Sequence, residues 1–349
     1  MKILYGINTI GQGHINRSRT IINQLKRDGN SVDCLFSGPK PPRYAFSIGD
    51  RWFRVSGYLM EVNGLGADPA KTFYENFRKT RSIIRSIYRT MRLVWNEKYD
   101  VLFSDFEITT SLAGFFLKKP VVVVDHQHSL IHPGAIRAPG NFSDIFNVIC
   151  ALGLTSPYFT LIICLDFVDK SVRRFKEYLL PLINKPELSN YKTSVENHFC
   201  VYLPHIHKET LHNIFSEFEA EKFYVYGFDI NEKKGNVWFK PTSRKNFLED
   251  MASSKGIISN SGFSITWEVL IFKKPFYTIP IEHHYEQYVN AYRLSNLKLA
   301  FVSSKLNTSM LREFIDKVNS HFFKGPKSIK ILSPQVLTNL VYEKLKGKM

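Results

Sequence analysis

Short apolar runs alternate with segments of helical periodicity along most of the chain. A strand at residues 2–7 precedes a helical segment with an apolar face at residues 15–25, and a second strand follows at residues 31–37. The same alternation starts again at residue 199. Because alternating strands and helices form parallel sheets covered by helices, two such runs predict an α/β protein with two Rossmann-like domains.

A polar segment at residues 181–197 separates the two runs and contains two prolines without a strong period. At 349 residues the chain is also too long for one domain of ordinary size. We therefore expect an N-terminal domain over residues 1–190, a C-terminal domain over residues 198–330 and a last basic helix over residues 331–349.

One stretch of the second run joins a buried strand at residues 256–258 to a loop of small residues and a helix at residues 265–272, with Ser264 as its predicted N-cap. Backbone N–H groups and the helix dipole favour an anion at such a helix start, which predicts a phosphate site. The plain alternative is a capped turn without a ligand.

A glycine-rich turn, Gly11-Gln12-Gly13-His14, follows the first strand. It lacks the third glycine of the dinucleotide-binding fingerprint, because Asn16 occupies that position. The glycines are therefore expected to let a ligand approach the backbone closely. His14 is expected at the strand ends, where open α/β sheets bind their substrates.

Acidic and histidine side chains follow two further strands of the first run. Asp105 and Glu107 come after one strand, and Asp125, His126 and His128 end the next. Parallel strands bring these groups to the edge that carries His14. The spacing does not match the common zinc patterns, which favours hydrogen-bonded histidines in a polar cleft over a metal site.

A helix predicted over residues 72–97 has two distinct faces. Its apolar positions, among them Phe77, Ile84 and Val94, are expected to face the core. A second stripe contains no acidic residue and consists of Arg78, Arg81, Arg85, Arg89 and Arg92. A solvated face is the plain interpretation of this stripe.

The whole chain carries 47 basic and 31 acidic residues, a formal charge of +16. This balance favours an anionic partner, whether a nucleotide, a membrane surface or a nucleic acid, without choosing among them. The four cysteines form no C-x-x-C pair and lie in apolar segments, which predicts reduced core residues. Residues 148–165 are interrupted by Gly153, Ser156 and Pro157 and predict a core helix and a strand, not a membrane span. With no signal peptide predicted, we expect a cytoplasmic protein, either free or held at the inner face of the membrane.

Several of these stretches, in this order, resemble a family of nucleotide-sugar glycosyltransferases with the GT-B fold. The family's turn is G-x-G-H-x-x-R-S, its donor loop is commonly N-G-G-F-S/T-x-x-x-E, and a later segment is E-Q-x-x-N-A. The corresponding stretches are residues 11–18, 104–107, 125–128, 260–268 and 285–291. The chain is also distantly similar to N-acetylglucosaminyltransferases that act on the lipid-linked peptidoglycan precursor. The resemblance implies two Rossmann-like domains facing each other across a cleft.

The resemblance also implies a donor site in the second run. Backbone groups of Gly262, Phe263 and Ser264 would hold the diphosphate, and Glu268 would accept from the ribose hydroxyls. The set expected around the sugar and the base is Glu286, Gln287, Phe239 and Lys240. Ser261 stands where the family commonly has a glycine.

On the acceptor side the resemblance implies that His14 is the general base, oriented by Asp105 or Glu107. Attack opposite the diphosphate would invert the anomeric centre. No D-x-D motif occurs in the sequence, so a metal that bridges the diphosphate is not expected. The nucleotide sugar would be a substrate, and no cofactor is expected. The other residues expected on this side are Gly11, Gly13, Asp125, His126, His128, Arg81, Arg85 and Arg89.

The resulting hypothesis is an inverting, metal-independent transfer from a UDP-sugar to a hydroxyl of a membrane-associated glycolipid or a saccharide, without an obligate protein partner. A sugar-nucleotide 2-epimerase is one alternative on the same fold. A phage-type glycosyltransferase acting on DNA bases is a second, and a non-catalytic nucleic-acid binder a third. The dispersed basic residues and the lack of a recognition motif weigh against the last of these.

Overall fold

The computed structural model describes residues 1–59, 62–63, 66–67, 69–140, 142–320 and 329–347, and of residues 62–63, 66–67, 69–70 and 73 the backbone alone. Contacts between Cα atoms divide the chain into two compact units. Unit 1 comprises Met1–Asn63, Ala67–Asn184 and Lys330–Met349, and unit 2 comprises Gly64–Gly66 and Lys185–Ile329.

Unit 1 is built on a mainly parallel sheet. From one edge to the other its strands are Ile331–Leu332 (β18), Glu177–Ile183 (β10), Leu161–Asp166 (β8), Val121–Asp125 (β7), Val101–Asp105 (β6), Lys2–Asn8 (β1), Ser31–Ser37 (β2) and Trp52–Val55 (β3). Val172–Arg174 (β9) pairs antiparallel with β10, and Val62–Asn63 (β4) and Gly66–Ala67 (β5) are short strands. The side chains of β6, β7 and β8 are all buried, as expected for a sheet covered on both faces.

The helices of unit 1 are Gly13–Arg27 (α1), Pro69–Arg78 (α2), Thr80–Glu97 (α3), Ile108–Leu117 (α4), Phe142–Thr155 (α5) and Pro334–Leu345 (α11), with 3-10 turns at Arg43–Ser47 and Gln127–Leu130. The single helix predicted over residues 72–97 is therefore two helices that meet at Lys79. Part of the segment predicted as a linker is strand β10, in which Pro181 is buried.

Two predictions about burial in unit 1 are wrong in part. Val94 on α3 is buried as predicted, but Phe77 on α2 and Ile84 on α3 are 70% and 60% exposed, and Ser86 and Thr90 are buried instead. Helix α5 was predicted to belong to the core, but Leu152 and Thr155 are the residues it buries, and its Cys150 is exposed. Within the described ranges, no helix is both long and apolar enough to span a bilayer.

Unit 2 repeats the architecture on its own sheet and core. In sheet order its strands are Glu232–Lys234 (β13), Val237–Phe239 (β14), Phe223–Tyr226 (β12), Phe199–Tyr202 (β11), Gly256–Asn260 (β15), Phe276–Ile279 (β16) and Phe301–Val302 (β17), all parallel except β13. Its helices are Lys208–Ser216 (α6), Arg244–Ser253 (α7), Phe263–Phe272 (α8), Tyr285–Asn296 (α9) and Thr308–Asn319 (α10), with a 3-10 turn at Pro186–Asn190. The prediction of two Rossmann-like α/β units is confirmed.

Each sheet has a point at which its strand order reverses. In unit 1 the chain runs outward from β1 through β2 to β3 and then, on the other side of β1, from β6 through β7 to β8. In unit 2 the reversal lies between β11 and β15. Open α/β sheets bind ligands at the carboxyl ends of the strands at such a point. The turn before His14 and the loop before α8 therefore occupy the two expected ligand positions.

Candidate active site

His14 and Asp105 meet at the reversal point of unit 1. His14 lies in the first turn of α1, directly after β1, and Asp105 is the last residue of the neighbouring β6. The Nδ1 atom of His14 is 2.7 Å from Oδ1 of Asp105. Because a carboxylate can only accept, this contact assigns the Nδ1 proton to His14 and leaves its Nε2 as an acceptor.

Asp105 is held by a buried guanidinium that the sequence analysis did not assign to the site. Arg17 Nε donates to Oδ2 at 2.9 Å, its Nη2 donates to Oδ1, and Ser18 Oγ donates to Oδ2 at 3.0 Å. Burial opposes ionisation of Asp105, but the charge of Arg17 and the hydrogen bonds from Arg17 and His14 outweigh it and lower the carboxyl pKa. Arg17 Nη2 also lies 3.0 Å from His14 Nδ1, so both groups share one carboxylate oxygen.

Phe106 packs against the imidazole from the residue after Asp105. Its φ of 55° is in the left-handed region, where a bulky side chain is strained. The phenyl ring stacks on His14 with ring centroids 5.6 Å apart and an interplanar angle of 17°. The Tyr58 ring makes a T-shaped contact with Phe106, with ring centroids 6.0 Å apart. The strained turn therefore places one aromatic face against the candidate base.

Glu107 does not contact His14, which corrects one of the two alternatives for its orienting group. It is the N-cap of α4 and accepts from Thr109 N at 2.8 Å and Thr110 N at 2.7 Å. Gly6 packs against this cap, since a Cβ there would lie 2.8 Å from Glu107 Oε2. After the turn at Phe106 the Glu107 side chain satisfies its own helix, and Asp105 remains as the group that contacts His14.

The other histidines predicted at this edge, His126 and His128, each contact a partner within unit 1. His128 Nδ1 lies 2.6 Å from Asp125 Oδ2, and this partner raises the histidine pKa against the effect of burial. His126 is fully buried with its Nδ1 2.9 Å from Leu165 O. In the described part of the chain, no group of three His, Cys, Asp or Glu residues could hold a metal ion. Among the predicted glycines, Gly11 has a φ of 71° and Gly13 begins α1.

In unit 2 the loop after β15 leads directly into α8. Helix α8 begins at Phe263 with Gly262 as its N-cap, and Gly262 offers no side chain to cap the backbone. The prediction that Ser264 is the N-cap is therefore wrong, since Ser264 lies within the first turn. Asn290 Nδ2 donates to Ser261 O at 3.0 Å and supports the loop from α9. A helix start without a side-chain cap remains suited to an anionic group.

Glu268 lies one turn into α8 and is 1% exposed. Its Oε1 accepts from Lys185 Nζ at 2.9 Å, and both of its oxygens accept from Arg244, at 2.5 and 3.0 Å. Burial opposes ionisation, but Arg244 and Lys185 outweigh it and lower the pKa of Glu268 to about 2. Burial lowers the pKa of Lys185, whose ammonium lies 4.3 Å from the centroid of the Trp267 ring. The sequence offered no sign of these partners, because Lys185 lies in the segment predicted as a linker.

Two residues expected at the donor base are occupied elsewhere. Phe239 is fully buried in the core of unit 2, so it cannot stack on a base without leaving that core. Lys240 Nζ donates to Asp250 Oδ2 at 2.5 Å and lies 4.7 Å from the centroid of the Trp238 ring.

The two residues expected at the donor sugar begin α9. Gln287 is 7% exposed, and its side-chain oxygen accepts from Ile281 N at 3.1 Å. Glu286 lies in the same first turn and is half-buried.

The arginines expected on the acceptor side, Arg81, Arg85 and Arg89, are all exposed on α3 of unit 1.

Comparisons with known proteins add a family and a fold. The family model described as glycosyl transferase family 1 matches residues 1–319, whereas a comparison with curated protein sequences finds no match. The kitacinnamycin glycosyltransferase is 11% identical with a TM-score of 0.65, over 99% of each chain. The spinosyn rhamnosyltransferase SpnG, solved with thymidine diphosphate, is 13% identical with a TM-score of 0.62, over 98% of this chain and 100% of its own. MurG of Acinetobacter baumannii is 12% identical with a TM-score of 0.59, over 98% of this chain and 99% of its own. At such identities the likeness shows the fold, that of GT-B glycosyltransferases with two Rossmann-like domains.

Proposed function

Because the chain belongs to glycosyl transferase family 1, we propose that it transfers a sugar from a nucleoside diphosphate donor to an acceptor hydroxyl, with inversion and without a metal. The observation that carries this proposal is the His14–Asp105 pair at the reversal point of unit 1, with its 2.7 Å contact. With Nδ1 committed to Asp105, His14 Nε2 is the nitrogen that accepts a proton.

The reaction then follows from the acceptor hydroxyl. Its oxygen attacks the anomeric carbon while His14 Nε2 takes its proton, and Asp105 stabilises the imidazolium that forms. The bond between the anomeric carbon and the diphosphate oxygen breaks from the opposite face, which inverts the centre. The nucleoside diphosphate leaves with the bonding electron pair, and the helix α8 start stabilises its charge.

The donor is a UDP-sugar whose diphosphate lies against the backbone of Gly262, Phe263 and Ser264. Glu268 is proposed to accept from the ribose through the one Oε2 lone pair that Lys185 and Arg244 leave unused, since a carboxylate has about four acceptor sites. Glu286 and Gln287 contact the sugar hydroxyls. The thymidine diphosphate in a structure of the same fold makes dTDP-sugars the necessary comparison in a donor screen.

The acceptor is a hydroxyl of a membrane-associated glycolipid or of a saccharide. A DNA base remains the second candidate, because the formal charge of +16 favours a polyanion. A 2-epimerase would convert the nucleotide sugar into its C2 epimer without any acceptor. Release of UDP that depends on the acceptor therefore separates transfer from epimerisation.

The test measures UDP release from a panel of UDP- and dTDP-sugars with lipid, saccharide and DNA acceptors, with and without a chelator. His14→Ala should lower turnover by roughly 10²-fold or more, the usual contribution of a positioned base, and should leave UDP binding in calorimetry unchanged. His212→Ala on α6 of unit 2 is the matched control and should keep full activity. Near-normal turnover of His14→Ala would remove the histidine from the mechanism, and loss of turnover with chelator would refute metal independence.

A further inference from the structure

Helices α3 and α5 of unit 1 expose large apolar side chains at helical spacing. Ile84 and Tyr88 on α3 are each 60% exposed, and Phe142, Phe146 and Ile149 on α5 are 83%, 53% and 51% exposed. Isolated apolar residues on a surface are ordinary. Spacings of three and four residues along a helix, however, align these side chains into stripes. Both helices pack against α4, and we call these five residues the apolar face.

The inward side of α3 explains why this face points outward. The residues that α3 buries are Ser86, Thr90 and Val94, and Ser86 Oγ accepts from Ser56 N at 3.0 Å. Thr90 and Thr109 join α3 to α4 through a hydroxyl contact of 3.1 Å. Since Ser86 and Thr90, together with Val94, make the contact with the rest of unit 1, Ile84 and Tyr88 lie on the side of α3 that faces the solvent.

Positively charged side chains lie beside the apolar face on α3. Arg81, Arg85 and Arg89 are exposed and alternate along the helix with Ile84 and Tyr88. A helix that combines exposed arginines with aliphatic and aromatic side chains is typical of protein surfaces that lie in a bilayer interface. The arginines match anionic headgroups, and the apolar side chains leave water for the acyl boundary. The phosphates of DNA could pair with the arginines, but DNA offers no apolar phase for Phe142, Phe146 or Ile149.

Short contacts connect this surface to the candidate base. Ser82 Oγ of α3 donates to Ser56 Oγ at 2.8 Å, which fixes the segment that carries Tyr58. Tyr58 meets the edge of Phe106, and Phe106 stacks on His14. Two aromatic rings therefore separate the segment attached to α3 from the imidazole.

We infer that α3 and α5 form a surface that binds an anionic lipid bilayer and that presents a lipid-anchored acceptor hydroxyl to His14. The second half of this inference rests on the proposed function, whereas the binding of lipid does not.

The binding test is co-sedimentation of the full chain with vesicles of phosphatidylcholine alone or mixed equally with phosphatidylglycerol. Wild-type protein should bind the mixed vesicles in preference to phosphatidylcholine. Reversal of Arg81, Arg85 and Arg89 to glutamate should weaken this binding by roughly 100-fold or more, because each basic residue near an anionic membrane contributes a factor of roughly five. Phe146→Ser with Ile149→Ser should weaken the binding that persists at high salt.

Two control variants carry matched changes of charge and of apolar side chains outside α3 and α5. Reversal of the exposed Lys222, Lys233 and Lys305 of unit 2 alters the net charge equally, and Val195→Ser with Val336→Ser removes exposed apolar groups outside α3 and α5. Both should bind vesicles as wild type does. Absence of wild-type binding, or equal losses in the controls, would overturn the inference, and binding to duplex DNA without vesicle binding would replace the lipid by a nucleic acid.

UDP release with a water-soluble acceptor, assayed in parallel, separates this inference from the proposed function. The Phe146→Ser/Ile149→Ser variant should keep that activity while losing, at high salt, transfer to an acceptor embedded in the mixed vesicles. Vesicle binding without any UDP release would leave the lipid surface standing and refute the transfer reaction. Conversion of the donor into its C2 epimer without any acceptor would do the same and favour the epimerase.

Discussion

Replacement of Glu268 by glutamine tests the buried ion cluster of unit 2 independently of any activity. The carboxylate is 1% exposed, with Lys185 Nζ at 2.9 Å and Arg244 Nη2 at 2.5 Å. The amide keeps the shape of the side chain but removes its charge, so the fully buried Lys185 ammonium loses its counter-ion. Breaking one partner of a buried pair in this way typically costs about 3–5 kcal/mol, and we expect a loss of that order in the free energy of unfolding.

The pH dependence gives a second measure of the same cluster. The Glu268 pKa falls from 4.5 to about 2 in the folded protein, and each pKa unit corresponds to about 1.4 kcal/mol. Because the folded pKa is the lower one, about 3 kcal/mol of stability is present above pH 4.5 and is lost progressively as the pH falls towards 2. Glu268→Gln should lack this acid-dependent loss. Since Lys185 is then buried without a partner, the variant should regain stability at alkaline pH.

The assay is urea denaturation at a series of pH values, followed by circular dichroism and by tryptophan fluorescence, because Trp267 stacks against the Lys185 ammonium. Glu249→Gln on α7 is the matched control. Its carboxylate is 50% exposed and lies 3.8 Å from Lys245, so its removal should cost less than about 0.5 kcal/mol. A loss below about 1 kcal/mol in Glu268→Gln, or an unchanged acid dependence, would refute the description of Glu268 as a buried ion-paired carboxylate.

Two further predictions concern packing and thiol reactivity. Gly6→Ala should lower the free energy of unfolding in urea by about 1–3 kcal/mol, because the new Cβ would lie 2.6 Å from Thr110 Oγ1. Gly153→Ala is the control and should be neutral or stabilising, because a Cβ there has nothing within 4 Å. Equal losses in the two variants would contradict the packing argument. The exposed Cys150 should react with a thiol reagent in the native protein, whereas burial raises the pKa of the Cys34 thiol to about 12 and also raises that of Cys164 and Cys200. A native titration that finds all four thiols equally reactive would contradict the burial pattern.

Local patterns in the sequence were sufficient to predict the fold class, the pairing of His14 with Asp105 and the position of the loop before α8. Alternating strands and helices predict parallel sheets, and in a parallel sheet the carboxyl ends of neighbouring strands share one edge. For that reason His14 after β1 and Asp105 at the end of β6 could be placed together before their distance was known. The loop before α8 was placed by the same reasoning.

Other features depended on conformations and contacts that no local pattern specifies. The choice between Asp105 and Glu107 was decided by the left-handed backbone at Phe106, after which the Glu107 carboxylate caps its own helix. The partners of Glu268 are distant in sequence, since Lys185 lies 83 residues away and Arg244 lies 24 residues away.

The outward direction of the apolar face also required the tertiary structure. Helix α3 carries apolar residues on more than one side, so its periodicity predicts a helix without telling which side packs inward. That side was decided by hydroxyl contacts with Ser56 and Thr109, which belong to other parts of unit 1. A sequence records the spacing of side chains along one helix, whereas burial depends on which neighbouring surface that helix meets.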